Sequence, residues 1–315
     1  MLRNLLQILS DGNFHSGEEL GTQLGVTRAA VWKQLKKLEA LNIPLSSVKG
    51  KGYRLSDAIQ LLDEDVIKNN VSGRLDCLEV LLNTESTNSY LLDKASDHMG
   101  KRYAVLSEKQ ESGRGRRGRT WVSPFGKNIY LSVAFDLQGG VEVLNGLSLV
   151  IGLAVIRVLK DLGLTDAELK WPNDIWIDSR KAAGILVELQ GEATTGWRVV
   201  AGVGLNVCMD ERDGIGIDQP WVSIADSISC SRSKLAGMMI STLVDVMGDY
   251  QEKGFESFMS EWEESDFLKG KSIQSSGGVS GIDAGINAQG ALLVETSEGK
   301  SCINAGEVSV RPVCD

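Results

Sequence analysis

Apolar residues recur at helical spacing from the start of the chain, with Leu2, Leu5, Leu6 and Leu9 on one face of a first helix. Ser16 and Glu19 have the spacing of a capping box that opens a second helix through Leu20 and Leu24, and Gly25 marks the turn after it. Thr27 is placed to cap a third helix, Arg28 to Glu39, whose Val31, Leu35 and Leu38 fall on one face. Arg28, Lys33, Gln34, Lys36 and Lys37 are left mostly on the other faces. Leu45-Ser46-Ser47-Val48 and Tyr53-Arg54-Leu55 flank Lys49-Gly50-Lys51-Gly52, the pattern of a β-hairpin with a basic tip. Three helices and a basic hairpin predict a winged helix-turn-helix, with the third helix in the major groove of DNA and the wing beside it. Its candidate DNA contacts are Thr27, Arg28, Lys33, Lys36, Lys37 and Lys51. The competing reading is a small helical interaction domain with a solvated basic face. The coincidence of basic helix, Gly25 turn and wing favours DNA.

From residue 61 the texture changes. Leu61 to Asn70 reads as a short connecting helix and Leu78 to Leu82 as the first strand of a new domain. That strand runs into Thr84-Glu85-Ser86-Thr87-Asn88, where Ser86 and Thr87 are, by position alone, more readily helix caps than ligand contacts. Asn128 to Phe135 reads as a core strand, and Leu144 to Leu162 as a buried helix that is apolar nearly all round. Leu169 to Ile177 reads as two short strands around a polar turn that holds Asn173 and Asp174. Arg180 to Leu189 is a strand that begins near Lys181, and Val199 to Val207 carries Gly202, Gly204 and Asn206. Those segments are able to bring a cation, two amides and a carboxylate together. Residues 270 to 315 alternate apolar residues with glycines, including Gly281-Ile282, Gly290 to Val294 and Gly306-Glu307-Val308-Ser309-Val310.

A chain of 315 residues, 42% hydrophobic and 24% charged, suits a soluble globular protein of two or three domains. Cys77, Cys208, Cys230, Cys302 and Cys314 are odd in number and show no C-x-x-C spacing, which argues against a zinc site or a secreted disulfide framework. Reduced thiols in a cytoplasm are expected. The first residues lack the apolar core of a signal peptide, and Leu147 to Ile156 is too short to cross a bilayer, so no membrane partner is expected. Charge is divided unevenly: residues 1 to 60 carry eight Lys/Arg against five Asp/Glu, the rest twenty-five against thirty-seven. A basic first module inside an acidic chain implies an anionic partner of its own.

The strongest local signal is Gly113-Arg114-Gly115-Arg116-Arg117-Gly118-Arg119. Four guanidinium groups on a glycine-rich backbone match phosphate or carboxylate oxygens, and the run leads directly into a turn and a core strand, as a free RNA-binding tail would not. Neither Gly-Lys-Ser, at Lys271 or at Lys300, has the upstream glycine of a P-loop. Gly202-Val203-Gly204 likewise lacks the third glycine of a dinucleotide fingerprint. Nucleotide binding belongs to another architecture.

GRGRRG at 113 to 118, KWPND at 170 to 174, RKAAGIL at 180 to 186 and GVGLNV at 202 to 207 resemble, in order, the signatures of biotin protein ligases. With the winged helix in front, the chain is similar along its whole length to the bifunctional biotin protein ligase and biotin operon repressor family. The resemblance implies an α/β (α+β) architecture. Its parts are a winged helix over residues 1–62, a class II synthetase-like ligase domain over 63–268 with a mixed, mostly antiparallel sheet, and an SH3-like β-barrel over 269–315. It implies ATP and Mg2+ as cofactors, biotin as substrate, and a biotin carboxyl carrier protein of acetyl-CoA carboxylase as acceptor. It also implies operator DNA of biotin genes and a homodimer promoted by biotinyl-5'-AMP.

Carried over by position, Ser86, Thr87 and Gln110 would bind the ureido head of biotin, with Asn88 and Gly184 beside it. Arg114, Gly115 and Arg116 would close on its carboxylate and on the adenylate phosphate. Lys181 would sit against the same reacting oxygens, with Arg114 and Arg116 as its catalytic companions. Asn173, Asn206 and Arg119 would hold the triphosphate and its metal, and Trp221 would stack on adenine. Thr120 stands where some members carry lysine. A lipoate-type ligase shares the central fold and is disfavoured by GRGRRG. A biotin-sensing repressor without catalysis would not need both Lys181 and Asn173.

Overall fold

The computed structural model describes residues 1–41, 43, 45–55, 59–71, 73–192, 194, 196–306 and 308–313; Glu307 and Cys314 of the segments above lie outside the described residues. Leu5, Leu6 and Leu9 are fully buried and turn α1 (Leu2–Leu9) against α2 (Gly17–Leu24) and α3 (Arg28–Ala40). The capping box is complete: the Ser16 hydroxyl accepts from the Glu19 amide at 3.1 Å, and the Glu19 carboxylate accepts from the Ser16 amide at 3.4 Å. Gly25 ends α2 in the left-handed region, at φ 64°. Thr27 accepts from the Ala30 amide at 3.3 Å and so caps α3, while Arg28, Lys33, Lys36 and Lys37 stay exposed. β1 (Leu45–Val48) and β2 (Gly52–Leu55) pair antiparallel with Val48 opposite Gly52, which puts Lys49 and Lys51 at the exposed tip of the wing.

α4 (Glu64–Val71) leads into a seven-stranded sheet of β3 (Cys77–Leu81), β4 (Tyr103–Ser107), β5 (Ile129–Leu137), β6 (Glu168–Lys170), β7 (Asp174–Ile177), β8 (Arg180–Glu192) and β9 (Gly196–Leu205). Its order is β3-β4-β5-β9-β8-β7-β6, with β3 and β4 parallel and every other pair antiparallel. Alternate residues of the central strands face two cores, as the period of two demands. Val105 and Ala134 pack with Leu91 of α5 (Thr87–Asp93), whereas Ala104, Leu106 and Val133 pack with α6 (Leu147–Asp161) and α7 (Arg232–Lys253). The buried helix expected from Leu144 begins instead at Leu147, because Gly146 takes φ 62° after a 3-10 turn at Val141–Leu144. The stretch 141–161 is apolar and long enough to span a bilayer, yet eleven of the fifteen residues of α6 are buried inside the protein. It is a core helix.

After α8 (Met259–Glu264) come β10 (Ser272–Ser275), β11 (Ser280–Ile286), β12 (Leu292–Thr296), β13 (Gly299–Ile303) and β14 (Val310–Pro312), an antiparallel sheet in the order β13-β12-β11-β10-β14. β13 and β14 are its edges, so its hydrogen bonding does not close a barrel among the described residues, although the five-stranded form is compatible with one. Ile273, Ile286, Leu292 and Val294 join the core of the central domain, and Trp171 donates its indole N–H to the Gly290 carbonyl at 3.0 Å. At the other junction, Arg3 donates to the carbonyls of Leu62 and Val80 at 2.9 and 2.8 Å. A buried pair, Glu108 with Arg232 at 2.7 Å, grips the connecting segment from both sides: Glu108 accepts from the Leu62 amide and Arg232 donates to the Gln60 carbonyl. Breaking such a pair leaves an uncompensated buried charge and costs about 3–5 kcal/mol.

Candidate active site

The ends of β5, β8 and β9, the start of α5 and the arginine loop enclose a cavity of about 340 Å³. Its inner wall is polar and prearranged. Gln110 Oε1 accepts from the Thr87 amide at 2.9 Å and from the Thr87 hydroxyl at 3.1 Å. The Ser132 hydroxyl lies 2.7 Å from Thr87 Oγ1 and 2.6 Å from Asn88 Oδ1, with one proton to donate between them. Asn88 donates to the Leu186 carbonyl at 3.1 Å and to Glu188 at 2.8 Å. Ser86 occupies the N-cap position of α5 without a capping hydrogen bond, so its hydroxyl is left for the cavity. Gly202 must be glycine here, because a Cβ would meet Asn88 Oδ1 at 2.3 Å.

The arginine loop is held shut by backbone. The Gly115 amide donates to the Arg119 carbonyl at 2.7 Å and the Trp121 amide to the Gly113 carbonyl at 2.8 Å. Its glycines act for different reasons. A Cβ on Gly113 would strike the Trp121 carbonyl oxygen at 2.4 Å, whereas Gly118 supplies positive φ at 70°, next to Arg117, itself at φ 60°. Arg114 rests on Glu188 at 2.8 Å and on Ser89 at 3.0 Å. Arg116 donates to Asn173 Oδ1 at 3.2 Å and to the carbonyls of Ala305 and Gly306, so the loop is docked on the C-terminal sheet. Arg117 adds bonds to Ser276 and Ser309 at 3.2 and 3.4 Å. Burial holds the Arg116 guanidinium below its usual pKa, which raises its appetite for an anion.

Lys181 lies 2.8 Å from Asp174 Oδ1 and 5.4 Å from the centre of the Trp121 ring. Beyond this ion pair the buried Asp174 Oδ1 accepts no hydrogen bond, which leaves it a lone pair for a ligand. Asn173 is fixed by donation to the Ile185 carbonyl at 2.7 Å. A carboxylate, an amide oxygen and room for phosphate oxygens suit a hard divalent cation, which binds through one or two carboxylates plus substrate phosphates. Among the described residues no group of three acidic, histidine or cysteine side chains could hold a metal ion, so the residues fit a shared ion rather than an all-protein cage.

The cavity brings together Ser86, Thr87, Asn88, Gln110, Arg114, Gly115, Arg116, Arg119, Asn173, Lys181 and Gly184 of the sequence-based set. Asn206 and Trp221 do not line it. Asn206 is buried behind the wall, its amide reaching the Lys181 carbonyl at 3.4 Å, and Trp221 bridges Lys181 through the backbone while its ring packs on Gly214. Several lining residues were absent from that set. Trp121 fills the space beside Gly184 and Gly204, and Lys170, pushed down to about 8 by burial, lies over the Trp176 ring at 4.1 Å. Lys170 and Asp174 both belong to the KWPND signature, which was the available clue. Ser309 and Arg311 arrive from the C-terminal sheet, a contribution that no local pattern announces.

Comparison with known proteins agrees with this geometry. Residues 81–206 match the biotin/lipoate A/B protein ligase family, residues 2–54 an HTH domain and residues 273–311 the biotin protein ligase C-terminal domain. The bifunctional ligase/repressor BirA of Salmonella typhimurium is 39% identical over 312 residues, 98% of this chain and 96% of that protein. The BirA of Escherichia coli is 38% identical over 98% of this chain and 96% of its own length. The biotin protein ligase of Aquifex aeolicus, solved in complex with biotin and ATP, superposes with a TM-score of 0.64 at 25% identity, covering 76% of this chain and all of that one. Cavity, domain order and near full-length similarity together make this chain a member of the biotin protein ligase family, alongside its ligase/repressor members.

Proposed function

We propose that the protein is an ATP-dependent biotin protein ligase that also represses transcription in response to biotin. The observation that carries the reading is the convergence of a prearranged polar wall, a loop of four arginines and the Lys181–Asp174 pair on one cavity. Two anions must meet here: a biotin carboxylate oxygen attacks the α-phosphorus of ATP, and the bond to the β-phosphate oxygen breaks to release pyrophosphate. Cations aimed at the developing charge are what that step requires. Arg114 would leave Glu188 for the ligand anion, Arg116 would hold the phosphate, and Lys181 would meet the reacting oxygens. Ser86, Thr87, Asn88 and Gln110 would fix the ureido ring, with Gly184 leaving space beside it, while Arg119 and Asn173 would hold the triphosphate, joined by Asn206 only after it leaves the Lys181 carbonyl and turns into the cavity. Trp221 would serve the adenine after a change of position.

Mg2+, held by Asp174 and Asn173 with the phosphates, would neutralise charge on the nucleotide. The mixed anhydride is labile to water, so the loop that docks on residues 305–306 protects it. The neutral amine of a carrier-protein lysine then attacks the acyl carbon, AMP leaves with its oxygen, and an amide forms. We propose a biotin carboxyl carrier protein as acceptor, a cytoplasmic location, and the division 1–62, 63–268 and 269–315. The first unit is supported by a hydrophobic cluster built mostly from α1, α2 and α3, onto which Phe125 and Leu82 of the second unit pack.

For repression, the adenylate-bound protein would dimerise and present two basic α3 helices to two operator half-sites. Incubation with labelled ATP, Mg2+ and either biotin or lipoate tests the ligase. Formation of biotinyl-5'-AMP and its transfer to a carrier lysine is the expected result, and an adenylate formed only with lipoate would refute it.

A further inference from the structure

Trp32 is the one exposed tryptophan among the described residues, at 54% of its accessible surface, whereas Trp171 and Trp262 are fully buried. It sits on α3 between Arg28, one turn before, and Lys36, one turn after, whose ammonium lies 5.7 Å from the ring centre. A single exposed apolar side chain is ordinary on a protein surface. Here its surroundings make it informative. Val31, Leu35 and Leu38 of the same helix are buried, and Trp32 shares the outer arc with Arg28, Lys33, Lys36 and the methyl of Ala29.

An indole set among cations calls for a partner with an apolar patch lying between rows of negative charge. A second copy of α3 does not qualify, since its own cations would repel these. The major groove of duplex DNA does: phosphates flank it on both sides, and the C5 methyl of thymine is the apolar feature on its floor. Resting on the repressor reading above, we propose that Trp32 is a specificity-determining residue of the DNA interface, its indole packed on a thymine methyl in each half-site. Arg28, Lys33 and Lys36 take neighbouring phosphates. The cations position the helix, and the tryptophan reads a base.

The test uses the full-length protein with biotin, ATP and Mg2+ to select duplexes from a random pool. Each thymine of a selected duplex is then replaced singly by deoxyuridine, which lacks only the C5 methyl. Wild type should lose about fourfold in affinity at one thymine per half-site, the effect of one buried methyl group. Trp32→Ala should bind the selected duplex more weakly and no longer distinguish thymine from uracil there, with ligation and the salt slope of binding unchanged. Trp32→Phe should retain part of the discrimination.

A flat uracil scan with wild type, or a Trp32→Ala protein with the same thymine preference, overturns the assignment while leaving repression intact. Loss of binding to an acidic protein, with DNA binding unaffected by Trp32→Ala, also overturns it. If wild type selects no duplex, the repressor reading itself fails and takes the assignment with it.

Discussion

Lys109 reaches out of the ligase domain to donate to the carbonyl of Leu41, at the end of α3, at 3.0 Å. Its chain neighbour Gln110 faces the cavity and holds Thr87. Glu108, one residue earlier, accepts from the Leu62 amide in the segment that joins the two domains. Three consecutive side chains therefore tie the ligand wall to the DNA-binding helix and its tether, and the expected outcome is that a shift of this strand end on ligand binding is transmitted to α3. Lys109→Ala removes one charged hydrogen bond of that link. The ratio of operator affinity with and without biotin and ATP should fall about fivefold or more, with adenylate formation within about twofold of wild type. Fluorescence anisotropy on a selected duplex measures the ratio, and an unchanged value rejects the coupling.

Lys181→Ala should slow adenylate formation about a hundredfold or more, since one preorganised cation is removed from a transition state between anions. The fold should survive, because Lys181 and Asp174 line the open cavity rather than the hydrophobic core, so loss of the ammonium leaves space beside the carboxylate that water can fill. Single-turnover formation of biotinyl-5'-AMP at the wild-type rate would take Lys181 out of the chemistry.

Much of this was legible in the sequence, for stated reasons. The capping box at Ser16, the Thr27 cap and the wing are local, and the structure reproduces each one. The strands carrying Lys181 and Gly202 were also visible as short apolar runs. What escaped is long-range. Arg116 meets the carbonyls of Ala305 and Gly306, and Arg311 joins the cavity, across nearly two hundred residues of chain. Asn206 reads as a ligand contact by position, but the turn after β9 buries it behind Lys181. The helix expected from Leu144 starts late because Gly146 breaks its first turn, a conformational detail that apolar periodicity does not contain.

The docking of Arg116 makes the loop and the C-terminal sheet one closure. Residues 111 to 120 are already closed by their own hydrogen bonds and should gain further protection from limited proteolysis when biotin and ATP are added, since the ligand anion offsets the repulsion among their like charges. Arg116→Gly removes its bonds to Asn173 and to residues 305 and 306, each worth about 1.5–3 kcal/mol for a charged donor. Release of biotinyl-5'-AMP should quicken at least tenfold, and lysines of unrelated proteins added to the reaction should become labelled. Equal protease protection with and without ligand would show that the anion does not tighten the loop.

Asp266 and Asp283 place two buried carboxyl groups against each other where the ligase domain meets the C-terminal sheet, each with an Oδ2 that receives no other donor. Burial, then the bond to Asp283 and repulsion from it, push Asp266 up to about 8, partly opposed by the Leu268 amide and then Lys269; burial also raises Asp283. A folded pKa above the unfolded value, near 3.9, means that the native state holds the proton more tightly. The stabilisation is complete below about pH 4 and is lost as pH rises through about 8. Thermal melts of wild type should therefore fall from pH 5 to pH 9 more steeply than those of Asp266→Asn, whose amide donates to Asp283 at every pH. The same loosening would move Arg311 and the carbonyls that hold Arg116, so the KM for ATP should climb over that range in wild type and stay flatter in the variant. Parallel melting curves for the two proteins would show that no shared proton holds the domains together.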